Sequence, residues 1–151
     1  VTALQVAAMS GAGTFWLHMH DLRSGSAGHE LNVDPLKRSF HKMLVPAFAL
    51  DQLQGLLRFP LPHAIKIDVD GAEPDVLSGA QQLLQVPDLR VLIVELRLDT
   101  EEQATAWLRE RGWEMTARFD ERGGQKIGSI CYARFERPHP KAIKKGHKAS
   151  P

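Results

Sequence analysis

Four ionisable side chains fall within eight residues in the stretch Ile65-Lys66-Ile67-Asp68-Val69-Asp70-Gly71-Ala72-Glu73. Carboxylates beside an ammonium can accept a proton, hold hydroxyl groups or attract a cation. Asp68 is the strongest candidate, because an acid that closes an apolar strand must be solvated in a cleft or paired. Alternation along an extended backbone sends Lys66, Asp68 and Asp70 to one side and Ile65, Ile67 and Val69 to the other. Lys66 would then steady the negative charge of Asp68. Gly71 permits a tight turn or a close backbone approach to a ligand. Glu73 and Asp75 fall in the first turn of the following helix, where its dipole favours acids, so an ordinary helix start explains them equally well.

The elements around this stretch decide where these groups point. Residues 64–69 and 90–96 are short runs rich in Ile and Val, as buried parallel strands tend to be. Between them Val76, Leu77, Ala80, Leu83 and Leu84 recur at helical spacing. Pro74 suits the first turn of that helix and Pro87 stops it. Strand, helix and strand make a βαβ unit. Its two strands end in Asp68 and Glu95, so both carboxylates should face the same sheet edge, where such folds bind ligands.

A second helix is expected after Asp99, capped by Thr100 with Gln103 completing a capping box, and ended at Gly112. Residues 113–119 and 129–135 read as a hairpin that closes the far edge. Upstream, Leu50, Leu53, Leu56 and Leu57 predict a short helix, and residues 2–9 and 14–19 two more strands. Residues 24–32 read as a mobile loop. The layout predicts an α/β fold, mostly parallel with an antiparallel C-terminal hairpin.

Two families share an apolar strand ending in Asp-Val-Asp-Gly. The haloacid dehalogenase phosphatases carry Asp-x-Asp-Gly-Thr, which would make Asp68 a nucleophile and Asp70 an acid/base working with magnesium. Ala72 stands where that pattern has Thr. The longer run IKIDVDGAEPDVLSGA, followed by VLIVEL, resembles the FkbM family of S-adenosylmethionine-dependent methyltransferases. Asp70 replaces that family's usual Glu, while Leu77, Gly79, Ala80 and Glu95 fall where its pattern has them. Phe48 to Leu53 and Ala7 to Ser10 are similar to flanking elements of the same family.

This resemblance implies a Rossmann-like class I methyltransferase sheet, S-adenosylmethionine as cofactor, and a hydroxyl of a small molecule or sugar as acceptor. It also implies a glycine-rich strand-turn and a second acid-ending strand ahead of Thr2. Gly11-Ala12-Gly13 has no helix after it and does not supply them. Residues 1–137 would therefore be a partial domain lacking its N-terminal strands. By the same resemblance, Asp68 would orient the acceptor or take its proton, Glu73 and Glu95 would hold acceptor hydroxyls, and Lys66 would tune Asp68. Ala8 and Asp68 would touch the cofactor, and no metal is called for. A sheet cut at that edge would be unstable alone or pair with a second copy as a homodimer. A non-catalytic α/β interaction module is the remaining alternative.

Composition narrows the classes further. With 43% hydrophobic and 25% charged residues among 151, the chain has a globular composition, and no apolar run is long enough to span a membrane. A single cysteine, Cys131, rules out an internal disulfide and suits the cytoplasm. Residues 138–151 hold four lysines and no acid, a basic tail expected to be disordered. The rest of the chain is net negative, and the near-neutral whole, at +1, argues against nucleic acid as the main partner. His18 and His20 alternate on one strand face but lack a third metal ligand at motif spacing.

Overall fold

The apolar runs and helical stripes resolve into ten strands and three helices in the computed structural model, which describes residues 2–19, 21–23, 29–32, 34, 39–122, 125–126 and 128–137. In chain order these are β1 (Ala7–Ala8), β2 (Gly13–Met19), β3 (Glu30–Asn32), β4 (His41–Phe48), α1 (Leu50–Leu57), β5 (Ala64–Ile67) and α2 (Glu73–Ser78). There follow β6 (Val91–Arg97), α3 (Glu101–Arg109), β7 (Glu114–Phe119), β8 (Glu121–Arg122), β9 (Gln125–Lys126) and β10 (Ile130–Glu136). His20, residues 24–28 and the tail 138–151 lie outside the described residues.

The strands form two four-stranded sheets, ordered β1-β4-β2-β3 and β5-β6-β10-β7, with β8 and β9 a separate small ribbon. The β5–β6 pairing is parallel, as the βαβ reading requires, and so is β1–β4. The other four pairings in these sheets are antiparallel. The expected single, mostly parallel sheet is thus corrected, among the described residues, to two mixed sheets. The reason lies in the C-terminal hairpin: β10 inserts beside β6, so the second neighbour of β6 runs against it.

One face of the second sheet carries the core. Leu92, Val94 and Leu96 of β6 alternate inward beside Phe135, Ala133 and Cys131 of β10, their direct register partners. Ile67 of β5, Val76 and Leu77 of α2, and Leu108 of α3 close over them, with Trp113 fully buried alongside. Burial of each Leu, Ile, Val or Phe side chain among them contributes about 1.5–3 kcal/mol. The buried Cys131, whose thiol burial pushes up, is a small core residue as its position in the alternation suggests. His18 is buried too, with Nδ1 3.1 Å from Ser39 Oγ.

Three expectations change at this level. The helix read through Leu84 ends at Ser78, and a short 3-10 turn at Leu83–Gln85 follows. Asp51 explains the break: its carboxylate accepts the backbone N–H groups of Gln82 and Leu83, both at 2.9 Å. Those donors are satisfied from outside the helix, so nothing is lost by leaving it. Thr100 does occupy the N-cap of α3, but its hydroxyl donates to Arg97 O at 3.3 Å and caps nothing. Within the stretch read as a mobile loop, Glu30–Asn32 pairs with β2.

Candidate functional site

The candidate site grows from the end of β5. The Ile67–Val94 pairing in the parallel ladder sets the next residues, Asp68 and Glu95, side by side; Asp68 lies just past the end of β5, whereas β6, expected to end at Glu95, runs on to Arg97 because β10 pairs with it there. Lys66 Nζ lies 2.5 Å from Asp68 Oδ2, so the period-two expectation holds for this pair. It fails for Asp70. The strand ends at Ile67, and Asp70 and Gly71 turn with φ of +52° and +106°. An aspartate tolerates that left-handed geometry better than most residues and a glycine is at ease in it. Asp70 consequently leaves the strand alternation, and its carboxylate accepts the backbone N–H of His29 at 3.2 Å.

Glu73 is 4% exposed and holds this turn together. Its Oε1 accepts the N–H groups of Val69 at 3.1 Å and Gly71 at 3.2 Å. One of its oxygens is therefore structural, a role that acid-at-helix-start reasoning only half describes. Glu95, 8% exposed, sits on the sheet face opposite the apolar core. Burial pushes its carboxyl above the ordinary value of 4.5, with the neighbouring Asp68 and Glu73 adding to the rise and a hydrogen bond from Tyr132 opposing it. Tyr132 stands directly across from Glu95 in the β6–β10 register, and Lys66 Nζ lies 5.6 Å from its ring centre.

A carboxyl raised in the folded state makes the protein less stable as pH climbs. Below about 4.5 Glu95 is protonated in both states; as pH rises through its raised value, the unfolded chain ionises more readily and gains. Glu95→Gln removes that penalty. Urea unfolding at pH 4 and at pH 7.5 should show the variant gaining on the parent chain as pH rises. Equal differences at both pH values would contradict the assignment.

Lys66, Asp68, Glu73 and Glu95 thus come together, whereas Ala8 does not join them. Ala8 lines a cavity of about 390 Å³ with Ala7, Leu31, Val45, Val69 and Asp70. A second cleft of about 620 Å³ shares His29, Leu31, Val69 and Asp70 and adds Gly71, Asp75 and Arg97. Both volumes lie within the roughly 300–1,000 Å³ typical of ligand pockets. Val69 and Asp70 are the junction between the clefts and the carboxylate cluster. Among the described residues, Gly11 to Gly13 connects β1 to β2, with no helix after it.

His29 and Tyr132 were not legible as site residues. His29 lies in a stretch whose composition reads as loop, and Tyr132 is placed by strand register alone. Asp70 lines both clefts and Asp68 lines neither, which gives no support to a phosphatase pair acting in one cleft. A family model described as "Methyltransferase FkbM domain" matches residues 3–121, well over half of the chain. No curated protein and no solved structure matches it. The matched span contains Ala8, Lys66, Asp68, Glu73 and Glu95 and stops short of β10.

Proposed function

The chain belongs to the FkbM methyltransferase family, and from that premise we propose that it methylates a hydroxyl oxygen of a small molecule or sugar, using S-adenosylmethionine. The observation that carries the reading is the carboxylate cluster of Asp68, Glu73 and Glu95, which gathers where β5 gives way to α2 beside β6 in the matched region. When bound, the cofactor supplies an electrophilic methyl carbon on a positively charged sulfur. The cluster suits that charge: its carboxylates outnumber its one lysine, and Asp68 and Glu73 both add to the rise that burial imposes on Glu95, a like-charge repulsion that a cation would relieve. Asp68, from the cluster, and Ala8, from the adjoining cavity, would hold the cofactor.

The chain's own side chains then have distinct tasks. Lys66 fixes the orientation of the Asp68 carboxylate through their 2.5 Å ion pair. Asp68 accepts a hydrogen bond from the acceptor hydroxyl and takes its proton as the oxygen is alkylated, a positioned base of the kind worth about 10²–10⁴-fold. Glu95 and the second oxygen of Glu73 receive further hydroxyls. Several acceptor oxygens in one small site favour a polyhydroxylated substrate, since each can take up a hydroxyl donor.

The reading is tested by incubating the protein with S-adenosylmethionine labelled at the methyl carbon and a panel of sugars and hydroxylated small molecules. Label should appear on an acceptor oxygen, matched by an equal amount of S-adenosylhomocysteine. Failure of every hydroxyl acceptor, with transfer only to amines or thiols, would overturn the oxygen specificity. No transfer at all would overturn the whole reading.

A further inference from the structure

Tyr132 lies on β10, eleven residues beyond the end of the family match, yet its side chain reaches both Glu95 and Lys66 of the cluster. Its register partner across the antiparallel ladder is Glu95, on the face away from the core. Lys66 Nζ sits 5.6 Å from the centre of its ring, and that same ammonium is paired to Asp68 at 2.5 Å. Tyr132, Glu95, Asp68 and Lys66 therefore form a closed circuit, in which the phenol reaches one acid directly and the other through the lysine. Lys66 is 59% exposed on a long flexible stem, so a ring beneath it restricts where its charge can go.

We propose that Tyr132 is a positioning residue of the methyl-transfer site, holding Glu95 with its hydroxyl and seating Lys66 against Asp68 with its ring. The proposal rests on the methyltransferase reading and extends that site to a strand outside the family match. Two contacts act separately. The hydroxyl favours the ionised form of Glu95, against burial and against the charges of Asp68 and Glu73 that face it. The ring acts only through Lys66, and so on the aim of Asp68.

Two substitutions separate these parts. Tyr132→Phe keeps the ring and removes the hydroxyl; Tyr132→Leu removes both. In the full chain labelled with carbon-13 at glutamate carboxyls, Tyr132→Phe should move the Glu95 titration to higher pH. The acid limb of the kcat/KM profile should move in the same direction. Its kcat should fall about 3- to 10-fold with KM little changed, and Tyr132→Leu should fall further. An unmoved Glu95 titration in Tyr132→Phe overturns the hydroxyl contact without reference to activity. A moved titration with unchanged kcat and pH profile makes Tyr132 a neighbour and not a positioning residue. If the parent chain transfers no methyl group, the methyltransferase reading itself fails, which is seen before any variant is made.

Discussion

Asp68→Asn is expected to lower methyl transfer by about 10²–10⁴-fold, the range lost when a positioned general base is removed. The amide nearly matches the carboxylate in shape, so packing changes little. It cannot take a proton from the acceptor, and it no longer pairs with Lys66 as an anion. Asp68 and Lys66 are both substantially exposed at the sheet edge, and solvent screens a pair of that kind. The variant should therefore melt close to the parent chain, within about 0.5 kcal/mol of its stability. Matched melts with collapsed kcat assign the loss to chemistry. Near-normal turnover in Asp68→Asn would remove Asp68 from the mechanism and leave Glu95 as the remaining candidate base.

The neighbourhood of Asp68 and Glu95 was legible because two local rules meet there. A strand's period of two fixes Lys66 beside Asp68, and the parallel β5–β6 register sets Asp68 beside Glu95. Asp70 broke the pattern because Gly71 follows it, letting the backbone turn left-handed one residue after Val69. β4 carries Pro46 within it, and proline within a run argues against a central strand. The structure accommodates it: on the β1 side β4 pairs only at Ala47 and Phe48, so no ladder bond is required of Pro46 there. Tyr132 and Asp51 depend on partners 37 and 31 residues away, set by strand register and by loop packing. Nothing in a local window encodes such pairings.

The segments flanking the IKIDVDGAE block look like separate weak matches in sequence, and the structure joins them at Gly79. Its carbonyl accepts the N–H of Asp51 at 3.0 Å, and the Asp51 carboxylate in turn caps the Gln82 and Leu83 N–H groups. A Cβ on Gly79 would lie 2.0 Å from Met9 O and 3.1 Å from Ala49 Cα. Met9 is itself held, its N–H donating to Phe48 O at 2.9 Å. Both obstructing atoms are backbone, so no rotamer change can relieve the clash. Relief requires separating β1 and the start of α1 from the end of α2, and with it loosening the helix that begins at Glu73.

Gly79→Ala should therefore cost about 3 kcal/mol or more, at the upper end for overpacked sites. For a chain of this size that corresponds to a melting temperature lower by roughly 10 °C. Gly55→Ala supplies the comparison: Gly55 lies inside α1 with nothing within 4 Å of an added Cβ. That change should be neutral or stabilising by up to about 1 kcal/mol, since alanine is the better helix former. In thermal melts Gly79→Ala should fall well below the parent chain while Gly55→Ala stays level with it or rises. If Gly79→Ala melts within a degree or two of it, the close approach of α2 to β1 is not part of the folded protein. The clefts beside Asp70, walled by those same segments, would then lose their basis.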